Sequence, residues 1–358
     1  MFLVNNFSFF ILCFLLSVTL TFIIIKVSPF LLKKISIIPK GPQHIHQGDV
    51  YRYGGLSIFI TLFISSLNVG NINLYTNLNY LCFIISIPVF IIGFWEDLRQ
   101  TVSPKFRLFG SFLSAAVFIY VLGYTISDVG FDLVNSLLIY DFLSIFITLM
   151  CIVFLIQSFN IIDGLNGLSL STGIIALISV AFIANYTKDY EIFRLSTSLI
   201  CIFAGVLLFN LPFGKIFIGD SGAYIIGLFI ACNVIMLSEK NEAVTPFVVI
   251  QILIYPSYEL IRSFLRRFFN NKKEIFSPDN KHLHSFLHIQ GIKKNKENNY
   301  KINSIASLKI ICIQIINCIY IVNFYQNDIL IIIGIFVFII IYEVVYAITK
   351  IKIEREIF

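Results

Sequence analysis

Residues 1–26 read MFLVNNFSFFILCFLLSVTLTFIIIK, an apolar run that no charge interrupts until Lys26. About 20 apolar residues in a helix cross a hydrocarbon core, and with no water there each backbone group must pair within its own segment. No basic stretch precedes the run and no small-x-small cleavage site follows it, so it reads as a retained first span rather than a signal peptide.

Comparable runs recur at about 54–68, 78–94, 108–123, 137–158, 168–184, 195–211, 222–237, 244–264, 305–323 and 328–349. The composition agrees with them. Of 358 residues, 58% are hydrophobic and 13% charged, with a mean hydropathy of +0.89, whereas an ordinary globular chain carries about 25% charge. A cytosolic fold is excluded, and 38 Phe with 17 Tyr exclude a disordered or fibrous chain. The expected fold is all-α: a polytopic membrane protein of about 11 transmembrane helices, or 10 with one re-entrant segment, because the second and fourth runs are short. Residues 1–358 form a single integral membrane domain without internal repeats. Asn270–Asn303 is too short and polar for a core of its own and reads as a loop. Seven cysteines stand singly inside apolar runs, without a CxxC pair, and read as buried or lipid-facing thiols.

Basic residues orient the bundle, because cytoplasmic loops retain Lys and Arg. On this parse 22 of the 26 Lys and Arg fall on the side that follows the first span, and only Lys188, Arg194 and Lys240 fall opposite, with Lys309 inside a span. The N-terminus is therefore external and the C-terminus cytoplasmic.

The chemistry-bearing residues fall on that same basic side, in loops at about 95–107, 159–167, 210–222 and 265–304. Glu96 and Asp97 are adjacent at a helix C-terminus, where the macrodipole disfavours anions. They read as a carboxylate pair for a cation or a proton, or as a solvated loop balanced by Arg99. In Asn160-Ile-Ile-Asp163-Gly164-Leu165-Asn166-Gly167 the glycines allow a tight turn, and the polar residues recur every three positions, as one helical face would place them. The alternative is an Asx turn with an N-cap for the next span. Asp220, in Gly219-Asp220-Ser221-Gly222, enters a helix whose first amides favour phosphate, and with Asp163 it can supply the one or two carboxylates that Mg²⁺ takes beside phosphates and water. A serine-protease reading of this motif lacks a base and a triad acid. His282 and His284, with His288 one turn on, suit donation to phosphate oxygens better than a zinc site, because no Cys or acid nearby completes a tetrahedral set. His44 and His46 read as an ordinary loop.

Taken in order, these motifs resemble the polyprenyl-phosphate N-acetylhexosamine-1-phosphate transferase superfamily (glycosyltransferase family 4). Arg52-Tyr-Gly54-Gly55 is similar to the early R-x-G-G of that superfamily, and Glu96-Asp97 stands at its Asp-Asp. Asn160–Leu168 is similar to N-x-x-D-G-x-D-G-L, Asn210–Gly222 to the uridine and Mg²⁺ segment, and His282-Leu-His284 to the late His motif. The resemblance implies an enzyme that transfers sugar-1-phosphate from a UDP-N-acetylhexosamine to a polyprenyl phosphate such as undecaprenyl phosphate. On the same resemblance, UMP would be released and a lipid diphosphate sugar formed at the cytoplasmic face of a bacterial inner membrane.

It further implies catalytic roles for Glu96, Asp97, Asp163, His282 and His284, and metal binding by Asp220 and Asp163. Substrate contacts would come from Arg52, Lys105, Arg107, Asn160, Gly164, Leu165, Asn166, Asn210 and Phe217, the last stacking on uracil. Mg²⁺ is the implied cofactor, with Mn²⁺ as the substitute. The implied partners are the two substrates and the membrane, with no nucleic acid and with a homodimer left open. Asn166 in place of the second acid, Glu96 for Asp, Gln100 for Lys and Ser285 for a third His point away from the muramoyl-pentapeptide branch. They point toward branches that start O-antigen, capsule or glycoprotein glycans. The prenyl chain calls for a lateral groove. The rival reading, a secondary transporter or channel, would need ionisable groups near mid-membrane, where only Glu259, Lys309 and Glu343 stand.

Overall fold

A computed structural model describes residues 2–31, 51–67, 77–270, 281–294 and 299–355, and among them every regular element is a helix. In chain order the helices are α1 Phe2–Leu31, α2 Gly54–Leu67, α3 Leu78–Arg99, α4 Pro104–Leu122, α5 Asp132–Leu138, α6 Asp141–Ile162 and α7 Leu168–Tyr186. There follow α8 Tyr190–Asn210, α9 Gly219–Lys240, α10 Pro246–Ile252, α11 Ile254–Asn270, α12 Leu283–Lys294, α13 Asn299–Phe324 and α14 Asp328–Arg355. Nine of the described helices are long and apolar enough to cross a membrane, and α10 with α11 makes a tenth segment bent by 77°. The short apolar α2 completes the eleven runs read from the sequence. The break thus falls in the 244–264 run and not in either of the two short runs.

Helix α9 is the axis of the bundle: every residue from Ser221 to Leu237 is buried, and α2, α3, α6 and α7 pack around it. Its sequence explains the close packing. Ala223, Gly227 and Ala231 recur every four residues and form a flat small-residue face, and a Cβ on Gly227 would stand 2.8 Å from the Ile156 Cα of α6. Hydroxyls and amides bond between helices where lipid offers no partner. Ser17 donates to the Ile202 carbonyl at 2.6 Å, Ser196 bonds Asn233 at 3.0 Å, and Gln157 donates to Ser111 at 3.0 Å.

The two ends differ. At one end Lys240 pairs with Asp189 and Glu191, and the Ser127 amide and hydroxyl donate to Glu239. At the other, α3, α6 and α8 finish and α4, α7, α9 and α12 begin, so the polar motifs meet there. Several helices run past the apolar limits toward this end: α3 to Arg99, α6 to Ile162, and α9 from Gly219. The motif acids therefore sit on helix termini and not in loops. The described part of the expected 265–304 loop is also largely helical. Leu283 and Leu287, four residues apart, bury one face of α12, and His284 and His288 are buried beside them. His44 and His46 lie outside the described residues. All seven cysteines are free, four of them buried, with Cys312 exposed.

Candidate active site

Asp97 ends α3 and turns both carboxylate oxygens to the first turn of α9. It accepts hydrogen bonds from the Asp220 amide at 2.7 Å, the Ser221 amide at 3.0 Å and the Ser221 hydroxyl at 2.6 Å. Helix α9 has no side-chain cap of its own, since Ile218 precedes it, and a carboxylate from another helix fills that role. The expectation that these amides await phosphate is corrected here: Asp97 occupies them. The Glu96–Asp97 pair is corrected likewise, because Glu96 turns the other way. Glu96 accepts from the Val102 amide at 2.8 Å and lies 3.7 Å from Arg107.

Arg107, one turn into α4, donates to Asp220 Oδ2 at 2.8 Å, and the Tyr224 hydroxyl reaches the same oxygen at 3.3 Å. Oδ1 of Asp220 makes no hydrogen bond among the described residues. The early R-x-G-G segment is stitched onto this helix entrance. The Phe217 amide donates to the Tyr51 carbonyl at 3.0 Å, and the Gly54 and Gly55 amides donate to the Phe217 and Ile218 carbonyls at 2.9 Å each. Arg52 and Phe217 are thereby placed at the rim of the same end.

Asn160, Asp163 and Asn166 do not share one helical face, because α6 stops at Ile162. Asp163 is the C-cap of α6, and α7 starts from Gly167 without a side-chain cap. The N-cap alternative is therefore corrected as well. Asn160 is half-buried and its side chain makes no hydrogen bond among the described residues. Burial pushes the Asp163 carboxyl up to about 8; the positive Arg52 pulls it down, and the negative Asp220 adds to the rise. In the absence of metal, folded Asp163 therefore keeps a proton that the unfolded chain releases near pH 4, so its ionisation opposes folding progressively as pH rises from about 4 to 8. Asp163→Asn should gain thermal stability over the parent as pH goes from 5 to 8, with no further widening above about 8. Unfolding scans of metal-free protein in detergent check this, and a pH-independent gap would refute it.

Asn166 is 1% exposed, and both polar atoms of its amide lack a partner among the described residues. Its backbone is held by α13: the Asn303 side chain accepts from the Asn166 amide at 2.7 Å, and Ser307 donates to its carbonyl at 2.7 Å. Asn210 ties the Gly167 amide to the Ile216 carbonyl, donating to the latter at 2.6 Å. Leu165 is buried. Gly164 is the floor for His284, since a Cβ there would lie 2.6 Å from His284 Nε2. The rings of His282 and His284 stack at 5.2 Å with 6° between their planes. Lys105 is exposed on the first turn of α4 and bonds none of the acids among the described residues.

The structure thus gathers Asp97, Asp163, Asp220, Glu96, Arg52, Arg107, Asn166, Asn210, Phe217, Gly164 and His284 at one end. Lys105 stands apart, and Asn160 stays without a bond among the described residues. Sequence reasoning missed Ser221 and Gly219, which receive Asp97, and the α13 residues that hold the Asn166 turn. Glu259 and Glu343 do not stand alone in mid-membrane as transport would require. Glu343 pairs with Arg262 at 2.6 Å, and Glu259 with His282 at 3.0 Å.

On the lateral side, a groove of about 540 Å³ is lined by Phe90, Ile91, Phe94, Trp95, Leu98, Arg99 and Thr101. Among the described residues no three His, Cys, Asp or Glu side chains close on one point. Mg²⁺ does not need such a cage, because it keeps several waters and takes only one or two carboxylates beside phosphate oxygens. Asp220, with one oxygen unspent, and Asp163, which burial and the Asp220 charge keep protonated, are the residues that could hold such a cation.

Acids, guanidinium and imidazole groups gathered at one edge of an apolar helical bundle suit a membrane enzyme, and known proteins resemble this chain. Residues 78–238 match the family model described as glycosyl transferase family 4. The matched region contains Asp97, Asp163 and Asp220. An undecaprenyl-phosphate alpha-N-acetylglucosaminyl 1-phosphate transferase of Thermotoga maritima is 27% identical over 266 residues, 72% of this chain and 77% of the relative. A Bacillus subtilis protein with the name "Probable undecaprenyl-phosphate N-acetylglucosaminyl 1-phosphate transferase" is 28% identical over 254 residues, 70% of this chain and 69% of its own. A phospho-N-acetylmuramoyl-pentapeptide-transferase of Halalkalibacterium halodurans is 28% identical over 216 residues, 57% of this chain and 66% of that one.

Proposed function

We propose that the protein transfers N-acetylhexosamine 1-phosphate from a UDP-sugar to undecaprenyl or another polyprenyl phosphate. An oxygen of the lipid phosphate attacks the sugar-bearing phosphorus, the bond from that phosphorus to the bridging oxygen breaks, and UMP leaves with the electron pair. The observation that carries this reading is the meeting of Asp97, Asp163, Asp220 and Arg107, from four different helices or their ends, at one edge of the bundle. The 22-to-3 distribution of basic residues supports a cytoplasmic position for that edge in a bacterial inner membrane.

The physical obstacle is charge. A lipid phosphomonoester carries about −1.5 to −2 near neutral pH, and the nucleotide diphosphate is also an anion. Arg52, Arg107, His282 and His284 offer cationic or hydrogen-donating groups, with Lys105 at the rim. Asp220 and Asp163 would hold Mg²⁺, or Mn²⁺ in its place, which when bound neutralises diphosphate charge and fixes an in-line approach. Asp97 serves this site by setting the first turn of α9, on which Asp220 rides. The unpaired amide of Asn166 costs about 1–3 kcal/mol for each unsatisfied group, a cost that a nucleotide seated beside Asn166, Asn210 and Phe217 would relieve. A general base is scarcely required, because the second pKa of the acceptor is about 6. The departures at Glu96, Gln100, Asn166 and Ser285 favour a product that starts an O-antigen, capsule or related envelope glycan.

Purified protein given polyprenyl phosphate, Mg²⁺ and a panel of UDP-N-acetyl sugars should release UMP and form a lipid diphosphate sugar with one donor preferred. No UMP from any donor, with folded protein and acceptor present, would overturn the proposal.

A further inference from the structure

Glu259 of α11 is an acid only 2% exposed, and its hydrogen-bond partners lie outside that helix, on the segment that opens α12. One oxygen lies 3.0 Å from His282 Nδ1, and the other accepts the Leu283 amide at 3.1 Å. The turn is gripped from further along α11 and from α14 as well. The Lys281 carbonyl accepts from Arg266 Nη1 of α11 at 2.5 Å and from the Tyr346 hydroxyl of α14 at 3.1 Å. His282 in turn stacks on His284, whose Nε2 would be 2.6 Å from a Cβ at Gly164, next to Asp163. A continuous contact path therefore runs from Glu259 through two imidazoles to the Asp163 turn.

We propose that Glu259 is a positioning residue for the transfer reaction: through its bonds to His282 Nδ1 and the Leu283 amide it fixes the orientation and tautomer of His282, and with it the stacked His284. The inference rests on the proposed function for its catalytic meaning, while its structural content stands independently. An ionised carboxylate only accepts, so Nδ1 bears the proton and any exchange with a substrate passes through Nε2. Neither partner works alone. Without Glu259 the ring loses the partner that fixes Nδ1, and without the Leu283 bond the carboxylate loses its second anchor.

Glu259→Gln keeps size and can still accept the Leu283 amide, but it no longer supplies a carboxylate to Nδ1. For histidines that ligate metals, loss of an outer partner typically costs about 10- to 100-fold, and a loss of the same order is expected for His282. The expected result is a folded protein whose kcat falls by about that factor with little change in KM for the UDP-sugar. In a His282→Ala background the same change should cost nothing more, because its effect runs through that ring. A second measurement is independent of turnover: ¹⁵N NMR of ring-labelled histidine in the full-length protein, with His282 assigned by the His282→Ala variant. It should show a protonated Nδ1 in the parent and a changed tautomer balance in Glu259→Gln.

A parent with no transferase activity but with the tautomer change would sink the function and leave the positioning intact. An active parent with an unchanged His282 spectrum, or with losses that add in the double variant, would overturn the role of Glu259. If Glu259→Gln fails to fold, Glu259→Asp, which retains the carboxylate on a shorter arm, takes its place in both measurements. A parental kcat and spectrum in Glu259→Asp would then refute strict positioning.

Discussion

Asp220→Asn should leave the protein folded in the membrane and remove at least about three orders of magnitude of transferase activity. The fold survives because Asp97 contacts the backbone amide of residue 220 and not its side chain, and because an amide oxygen can still accept from Arg107 and Tyr224, now at 2.8 and 3.3 Å from Oδ2. What is lost is the negative charge. Removing a single preorganised group that stabilises transition-state charge typically costs about 10²–10³ in kcat, and the carboxylate proposed to anchor a divalent cation does more than one donor. UMP release with Mg²⁺, measured beside size-exclusion and thermal profiles in detergent, gives the answer. A parental rate from well-folded Asp220→Asn would remove this residue from the metal site.

Gly219→Ala is expected to be severely destabilising. Gly219 has φ +71°, a conformation that costs a residue with a Cβ about 1–2 kcal/mol. The added carbon would also stand 2.5 Å from both Asp97 oxygens, so the carboxylate must leave the α9 terminus and forfeit its three hydrogen bonds. Hydrogen bonds to charged groups contribute about 1.5–3 kcal/mol each, so the combined loss is comparable with the whole stability of a typical fold, about 5–15 kcal/mol. The variant should show little folded protein after extraction, or a melting temperature lowered by well over about 5 °C. Asp97→Asn, which keeps one acceptor oxygen, should fall between this variant and the parent. An unaltered melting temperature in Gly219→Ala would show that Asp97 does not hold α9.

The helices were legible because lipid leaves the backbone few choices: each apolar run from 3–25 to 328–349 has its counterpart. The acids that matter were also visible at the ends of those runs, Asp163 and Asp220 beside Gly and Asp97 two residues before Arg99. Their partners were not. Asp97 bonds to an amide 123 residues away, and no local pattern states which helix end will dock on which. Helix ends were misread for a related reason: polar terminal turns such as Trp95–Arg99 lack the hydropathy that marks a span, yet caps and ion pairs keep them wound. The short α5 and the helix within 283–294 were lost in polar surroundings. Glu259 was noticed only as an isolated charge, because the residue that justifies it, His282, is supplied by a different segment.

The bond between Asp97 and the α9 terminus also says something about biogenesis. The ribosome delivers the acid long before the amides it will receive, so a nascent chain that has not yet reached Ser221 holds α3 with an unanswered carboxylate.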